Sequence, residues 1–174
     1  DASGRPYLYV ASKEAGLRIY ALTGSPRLVR SIPTSELGAR HVMHLAQSGN
    51  QLYLALGNHW GRGEGAGLAV IAVRDPGEAG VVGVWKDDEA GGGGGAIAVS
   101  GCTAYLAAMG RGLIVLDVSN PSAIHVIGQL QPDPAYPDAR PDRGKINARG
   151  LAIRTNLLFL CYDAGGIRVI DIAD

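Results

Sequence analysis

Four times along the chain, a Gly-led apolar heptapeptide follows an apolar segment with an aromatic residue at a fixed place. The heptapeptides are GLRIYAL (16–22), GLAVIAV (67–73), GLIVLDV (112–118) and GIRVIDI (166–172). The segments ahead of them are YLYVAS (7–12), QLYLAL (51–56), TAYLAA (103–108) and LLFLCY (157–162), which align Tyr9, Tyr53, Tyr105 and Phe159. From aromatic to Gly is 7 residues in three copies and 14 in the second. An internal repeat of this kind constrains the fold more than any other feature. Each copy must adopt the same local structure and bury its surface against its neighbours.

Further runs complete the unit. PRLVRSI (26–32), AGVVGVW (79–85) and AIHVIGQL (123–130) follow the heptapeptides after Ser-Pro, Asp-Pro-Gly and Asn-Pro-Ser turns. VMHLAQSGN (42–50), GAIAVSGC (95–102) and GLAIRTN (150–156) precede the aromatic segments. Runs this short, rich in Val, Ile, Leu and Tyr and without a 3.6-residue period, read as strands. The expectation is an all-β chain: a β-propeller built of four-stranded antiparallel blades, two complete and two partial. The approximate blades are 1–32 (partial), 42–85, 95–130 and 150–174 (partial), in a single propeller domain or part of one. Stacking of blades explains why the strands are apolar on both faces rather than strictly alternating.

With strands named a to d from the axis outward, the order is b-c-d, a-b-c-d, a-b-c-d, a-b-c. This order predicts part of a longer propeller of roughly six to eight blades, the rest lying on the same polypeptide or on another chain. Two alternatives stay open: a compact four-bladed form with frayed end blades, and an oligomer in which exposed sheet edges pair.

The stretch GLIVLDVSNPSAIHVIGQL (112–130) resembles the LVIVD repeat, a propeller-blade motif, through Gly112, Leu113, Val115, Asp117, Val118, Ser119, Asn120 and Pro121. The fourth copy matches well up to Asp174. The second keeps the spacing and an Asp75-Pro76 turn but has Ala72 where the Asp belongs, and the first has Ala21 there. The resemblance implies a propeller at an extracellular, cell-surface or periplasmic location, and implies no reaction.

Sixteen basic residues balance sixteen acidic ones, so no global field draws the chain to nucleic acid or anionic lipid. No apolar run approaches the roughly 20 residues of a transmembrane segment. The chain opens on Asp1, so a missing signal peptide says nothing about the compartment. Cys102 and Cys161 lie without metal-site spacing and read as small buried or half-buried thiols, with a disulfide as the lesser reading.

In propeller connectivity the b–c and d–a loops share one face, and every long segment falls there: 33–40, 57–66, 86–94 and 131–149. Insertions confined to one face mark a binding face on a repeat scaffold. The candidate partner-binding residues on it are His59, Trp60, Arg62, Tyr136 and Arg140, with Trp60 suited to stacking on a sugar or a partner side chain. His41, His59, Asp87 and Asp88 form a candidate site for a divalent metal, with no other cofactor implied. Asp133, Asp138 and Asp142 lack the ordered spacing of a calcium loop. Asp117 and Asp171, at the end of strand c, read as turn-capping groups, and His125 as structural. No catalytic motif appears. The expected function is a non-enzymatic scaffold or interaction module that binds a protein or glycan through the long-loop face. Further blades, or self-association, would cover its open edges. The alternative is an enzyme or metal-binding propeller with a site at the mouth formed by His41, His44, His59 and Trp60.

Overall fold

The computed structural model describes residues 4–57, 65–87, 89, 92–136, 140–142 and 146–173. Fourteen strands among them form four antiparallel sheets in chain order. Blade 1 is β1 (Tyr7–Ala11), β2 (Leu17–Ala21) and β3 (Arg27–Ile32). Blade 2 is β4 (Val42–Ser48), β5 (Gln51–Leu56), β6 (Gly67–Ala72) and β7 (Gly80–Lys86). Blade 3 is β8 (Ala96–Ser100), β9 (Thr103–Ala107), β10 (Leu113–Asp117) and β11 (His125–Leu130). Blade 4 is β12 (Gly150–Arg154), β13 (Leu157–Cys161) and β14 (Ile167–Asp171). Each strand pairs with its sequence neighbour, which is the meander expected of propeller blades.

The repeat has one structural core: a cross-strand row. In blade 2 it runs Ala46, Tyr53, Val70, Gly83 across the four strands. Blade 3 repeats it as Ala98, Tyr105, Val115, Gly128, and blade 4 as Ala152, Phe159, Val169. In blade 1, Tyr9 pairs with Ile19, and Ile19 with Arg30. Blades converge toward the axis, so the innermost strand has room for Ala, while the next accommodates an aromatic ring. A β-branched partner completes the face, as is favourable for cross-strand pairs.

Each row packs against the blade that follows it. Tyr9 lies against the cluster of Leu52, Leu54 and Ile71 in blade 2, Tyr53 against Ile97, Leu106 and Ile114 in blade 3, and Tyr105 against Leu158 and Leu160 in blade 4. Inner strands β1, β4, β8 and β12 pack successively, and no comparable strand packing joins blade 4 back to blade 1 among the described residues. The two end blades accordingly keep one face uncovered. Leu8 and Leu28 of blade 1 are 46% and 48% exposed, and Ile167 and Val169 of blade 4 are 66% and 58% exposed.

Two devices lock neighbouring blades together. On the long-loop face, the b–c turn of blade 1 pairs with the start of β4 through reciprocal Lys13 and Val42 hydrogen bonds of 3.0 Å each. Met109 and Ala148 repeat the bridge between blades 3 and 4 at 3.0 and 2.9 Å. The Gly that opens the first, third and fourth heptapeptides closes this turn. Gly16 and Gly112 sit at φ +79° and +77°, where a Cβ would also strike the carbonyl of Ile32 or Leu130 at the end of strand d. On the opposite face, the c–d turn is a short 3-10 turn, Pro76–Glu78 in blade 2 and Pro121–Ala123 in blade 3. It packs on the outer strand of the preceding blade: Arg30 Nε donates to Ala79 O at 3.0 Å, and the Pro121 carbonyl lies directly over Gly83.

The cysteines depart from the expectation of burial: both are free and exposed. Cys102 belongs to the tight turn between β8 and β9, and Cys161 to the uncovered face of blade 4 beside Gly150 and Ile167. Neither position lies between two blades, which is where this chain buries its side chains.

The inter-blade contact at Gly83 is testable by substitution. Gly83→Ala forces a Cβ into the Pro121 carbonyl and is expected to destabilise the fold by about 1–3 kcal/mol, the usual cost of overpacking. Gly128→Ala, at the same row position, meets only the Val115 side chain at 3.7 Å and is expected to be near neutral. Urea denaturation of the two variants checks this, and equal losses would contradict it.

Candidate functional site

The long-loop face carries a hollow of about 350 Å³ at the top of blade 2, lined by Gly38, Arg40, Gly57, Gly65, Lys86 and Asp87 among others. Its floor is backbone. A Cβ on Gly65 would run into the Asp87 carbonyl, and one on Gly57 would come within 2.7 Å of Gly94 N. Three loop segments therefore cross with no side chain between them. Asp87 N donates to Ala66 O at 2.8 Å, Gly94 N to Leu56 O at 2.8 Å, and Gly57 N to His41 O at 3.2 Å. This is where the second repeat copy replaces the usual short b–c turn with its longer insertion.

The rim is charged and internally paired. The Lys86 ammonium donates to the Gly38 carbonyl. Arg111 Nε donates to Asp87 Oδ2 at 3.0 Å, and the same guanidinium pairs with Glu89. With the Asp87 side chain only 11% exposed, this pair holds the loop between blades 2 and 3 onto the b–c turn of blade 3. Gln129 Nε2 returns a bond to Arg111 O at 2.9 Å. Sequence reading passed over Arg111, although it fills the slot before the repeat Gly that Ala15 and Gly165 occupy elsewhere. A charged residue in a slot otherwise held by small ones was the available signal.

Two of the candidate metal ligands, His41 and Asp87, lie among the described residues. His41 Nε2 lies 3.3 Å from Glu14 Oε1, on the b–c turn of blade 1. Asp87 is held by Arg111. His59 and Asp88, and the partner-binding candidates Trp60 and Arg62, lie outside the described residues. No group of three or more metal-ligating side chains occurs among the described residues. His44 has a different place. On innermost strand β4, its Nδ1 accepts from Ile97 N of β8 at 3.3 Å and so links the inner strands of blades 2 and 3. Burial lowers its pKa.

The segment after β11 is anchored from beneath. Arg168 on β14 sends one guanidinium nitrogen to the carbonyls of Asp133, Pro134 and Tyr136, at 3.0, 3.2 and 3.0 Å. The Tyr136 side chain stands clear, with the residue 70% exposed, and Arg140 is also exposed. An anchored backbone presenting an exposed aromatic suits contact with a partner surface. Asp133 itself caps Ala135 N at 2.9 Å. Arg149 Nε reaches both Asp163 oxygens at 2.6 and 2.8 Å, steadying the segment's far end.

The aspartates at the end of strand c are turn caps. Asp117 Oδ1 accepts from Ser119 N at 2.8 Å, and Asp171 Oδ1 from Ala173 N at 3.0 Å. Hydrogen bonds from the Ser119 side chain and backbone hold the Asp117 carboxyl below its ordinary pKa. His125, exposed on β11, has its Nδ1 3.1 Å from Ala123 O.

Comparison with known proteins agrees with this architecture. Residues 91–131, which are blade 3 and the linker before it, match the LVIVD repeat family. No curated protein sequence matches the chain. Among solved structures, the computationally designed Ika4 protein aligns over 95% of this chain and 85% of its own, at 13% identity and a TM-score of 0.62. The computationally designed Ika8 protein aligns over 95% of this chain at 13% identity and a TM-score of 0.60, and the chain spans 43% of its length. Likeness at this identity concerns the fold alone.

The partial burial of the His44 ring gives a pH dependence of defined sign. The folded pKa is lowered, so below the ordinary histidine value of about 6.5 the unfolded chain binds the extra proton first. The contribution is complete above that value and is lost as pH falls from it through the folded pKa. The urea midpoint is expected to fall between about pH 7.5 and about pH 5, and to fall less in His44→Gln. An equal fall in both proteins would contradict the assignment.

Proposed function

We propose that this LVIVD-repeat propeller chain is a non-enzymatic interaction module that presents its long-loop face to a protein or glycan, in an exported or surface-associated setting. The observation that carries the reading is the segregation of the connections. The a–b and c–d turns are short, and the c–d turns are capped by Asp75, Asp117, Asn120 and Asp171. All the long segments gather on the other face, around the hollow of blade 2 and the anchored Tyr136 segment.

The chemistry of that face favours binding. Of the described carboxylates on it, Asp87, Glu89 and Asp163 are engaged by arginines, and Glu14 by His41. What the face offers outward is an exposed aromatic, a guanidinium and backbone groups around a concavity, a set suited to recognition. The surface setting rests on the resemblance to the LVIVD family.

The uncovered faces of blades 1 and 4 extend the reading: further blades, on the same polypeptide or on another chain, cover them. Blades 1, 2 and 3 each bury the row face that blade 4 exposes at Val169, and an exposed apolar face of that kind calls for a partner.

Two measurements test the proposal. A screen of arrayed glycans and candidate surface proteins is expected to find a ligand whose affinity drops at least about tenfold, roughly 1.4 kcal/mol, in Tyr136→Ala/Arg140→Ala. An unchanged affinity in that variant and in Trp60→Ala would contradict the loop-face assignment. Light scattering of the concentrated chain is expected to give a mass above that of one 18.0 kDa chain. A strictly monomeric species would contradict coverage of the end faces by other copies.

A further inference from the structure

The hollow of about 350 Å³ at the top of blade 2 lies over a complete blade with a neighbour on each side, so its walls are independent of whatever covers the end faces. The charges of its described lining are unequal. Asp87 is turned to Arg111, with its side chain only 11% exposed, while Lys86 and Arg40 are exposed. The Lys86 ammonium donates to the Gly38 carbonyl and keeps further N–H donors, and the Arg40 guanidinium carries several. The hollow therefore presents cationic donors beside a carboxylate that is already neutralised. Basic and acidic residues balance over the whole chain, so this is a local property. An anionic group gains charge-assisted hydrogen bonds here that a neutral one does not.

The rest of the lining suits a hydroxylated ligand better than a protein side chain. Gly38, Gly57, Gly65 and Gly67 present backbone with no side chain over it. The apolar lining is Ala39, Ala66 and Leu56, the last two buried, and no aromatic ring borders the hollow among the described residues. A protein anchor needs a well-packed apolar pocket, which these residues do not make. Backbone amides and carbonyls, by contrast, are the polar groups that orient small molecules in concave sites. The volume of about 350 Å³ stands near the lower end of the roughly 300–1,000 Å³ of such sites, which suits one sugar unit and not a folded segment.

We propose, resting on the loop-face reading, that this hollow binds a hexuronate unit of an acidic glycan. Lys86 and Arg40 hold its carboxylate, and the backbone of the glycine floor meets its hydroxyls. Two chemical features select the ligand. The cations favour a carboxylate over a neutral substituent, and the bare floor admits a ring where side chains would exclude it. Tyr136 belongs to a different part of the face, on the segment anchored by Arg168, so the hollow can be tested apart from it.

The test titrates the intact, isotope-labelled chain with D-glucuronate, D-galacturonate and D-mannuronate, followed by amide chemical shifts. At least one is expected to bind saturably and to shift the amides of Gly38, Gly57 and Gly67. The matching neutral hexose, acetate and a capped Gly-Glu-Gly peptide are each expected to bind at least about tenfold more weakly. Lys86→Gln is expected to weaken the uronate by about fivefold or more, as befits the loss of a charge-assisted bond. If that change unsettles the 33–40 loop, Arg40→Gln serves as the second variant with the same expected loss. Saturable binding by none of the three acids would overturn the proposal, as would equal binding of the hexose, acetate or peptide, or undiminished binding by a folded variant. Tyr136→Ala/Arg140→Ala is expected to bind the uronate as the parent does. A loop-face ligand lost in that variant, with no uronate bound by the parent, would overturn this inference and leave the loop-face reading standing.

Discussion

Everything in this fold hangs on one cross-strand row, Ala–aromatic–Val–Gly, laid against the blade that follows. A lone four-stranded sheet with both faces apolar has no stable state in water, and neighbouring sheets supply the missing cover. The row sets how they fit. Ala46, Ala98 and Ala152 stand on the strands nearest the axis, and the aromatic one strand out fills the widening gap. Gly83 at the rim lets the next blade's backbone close in. Size grading along the row is what makes a stack of flat units turn about an axis.

Function follows from what the stacking leaves unconstrained. Bridges at Lys13–Val42 and Met109–Ala148 fix the roots of the connections on one face, so the segments between those roots vary without disturbing the blades. Variation is concentrated there, and salt bridges from Arg111 and Arg149 discipline it locally. The c–d turns on the other face have no such freedom, because each is itself an inter-blade contact. The binding proposed for the first face and the blade packing on the second are therefore separable within one repeat.

Much of the fold was legible in the sequence because the repeat is long and its aromatic and Gly positions are locally required. Tyr9, Tyr53, Tyr105 and Phe159 occupy equivalent row positions in four sheets. The Asp117 and Asp171 caps were readable because turn chemistry is local. The candidate site was far less readable. Arg111 meets Asp87 across 24 positions, and Ile97 meets His44 across 53. Such partners are set by blade stacking, which no local pattern specifies. The cysteines were misplaced for a related reason: small apolar residues are buried here only between blades, and residue type does not say whether a strand face has a neighbour.

An experimental structure of the chain, at a resolution where side chains are seen, tests the central claim most directly. The account predicts Tyr9, Tyr53 and Tyr105 each packed against the following blade, with the Pro121 carbonyl over Gly83 and the faces of Leu8 and Val169 open to solvent or to another copy. Sheets that close edge to edge, or aromatics of the row turned to solvent, would contradict it.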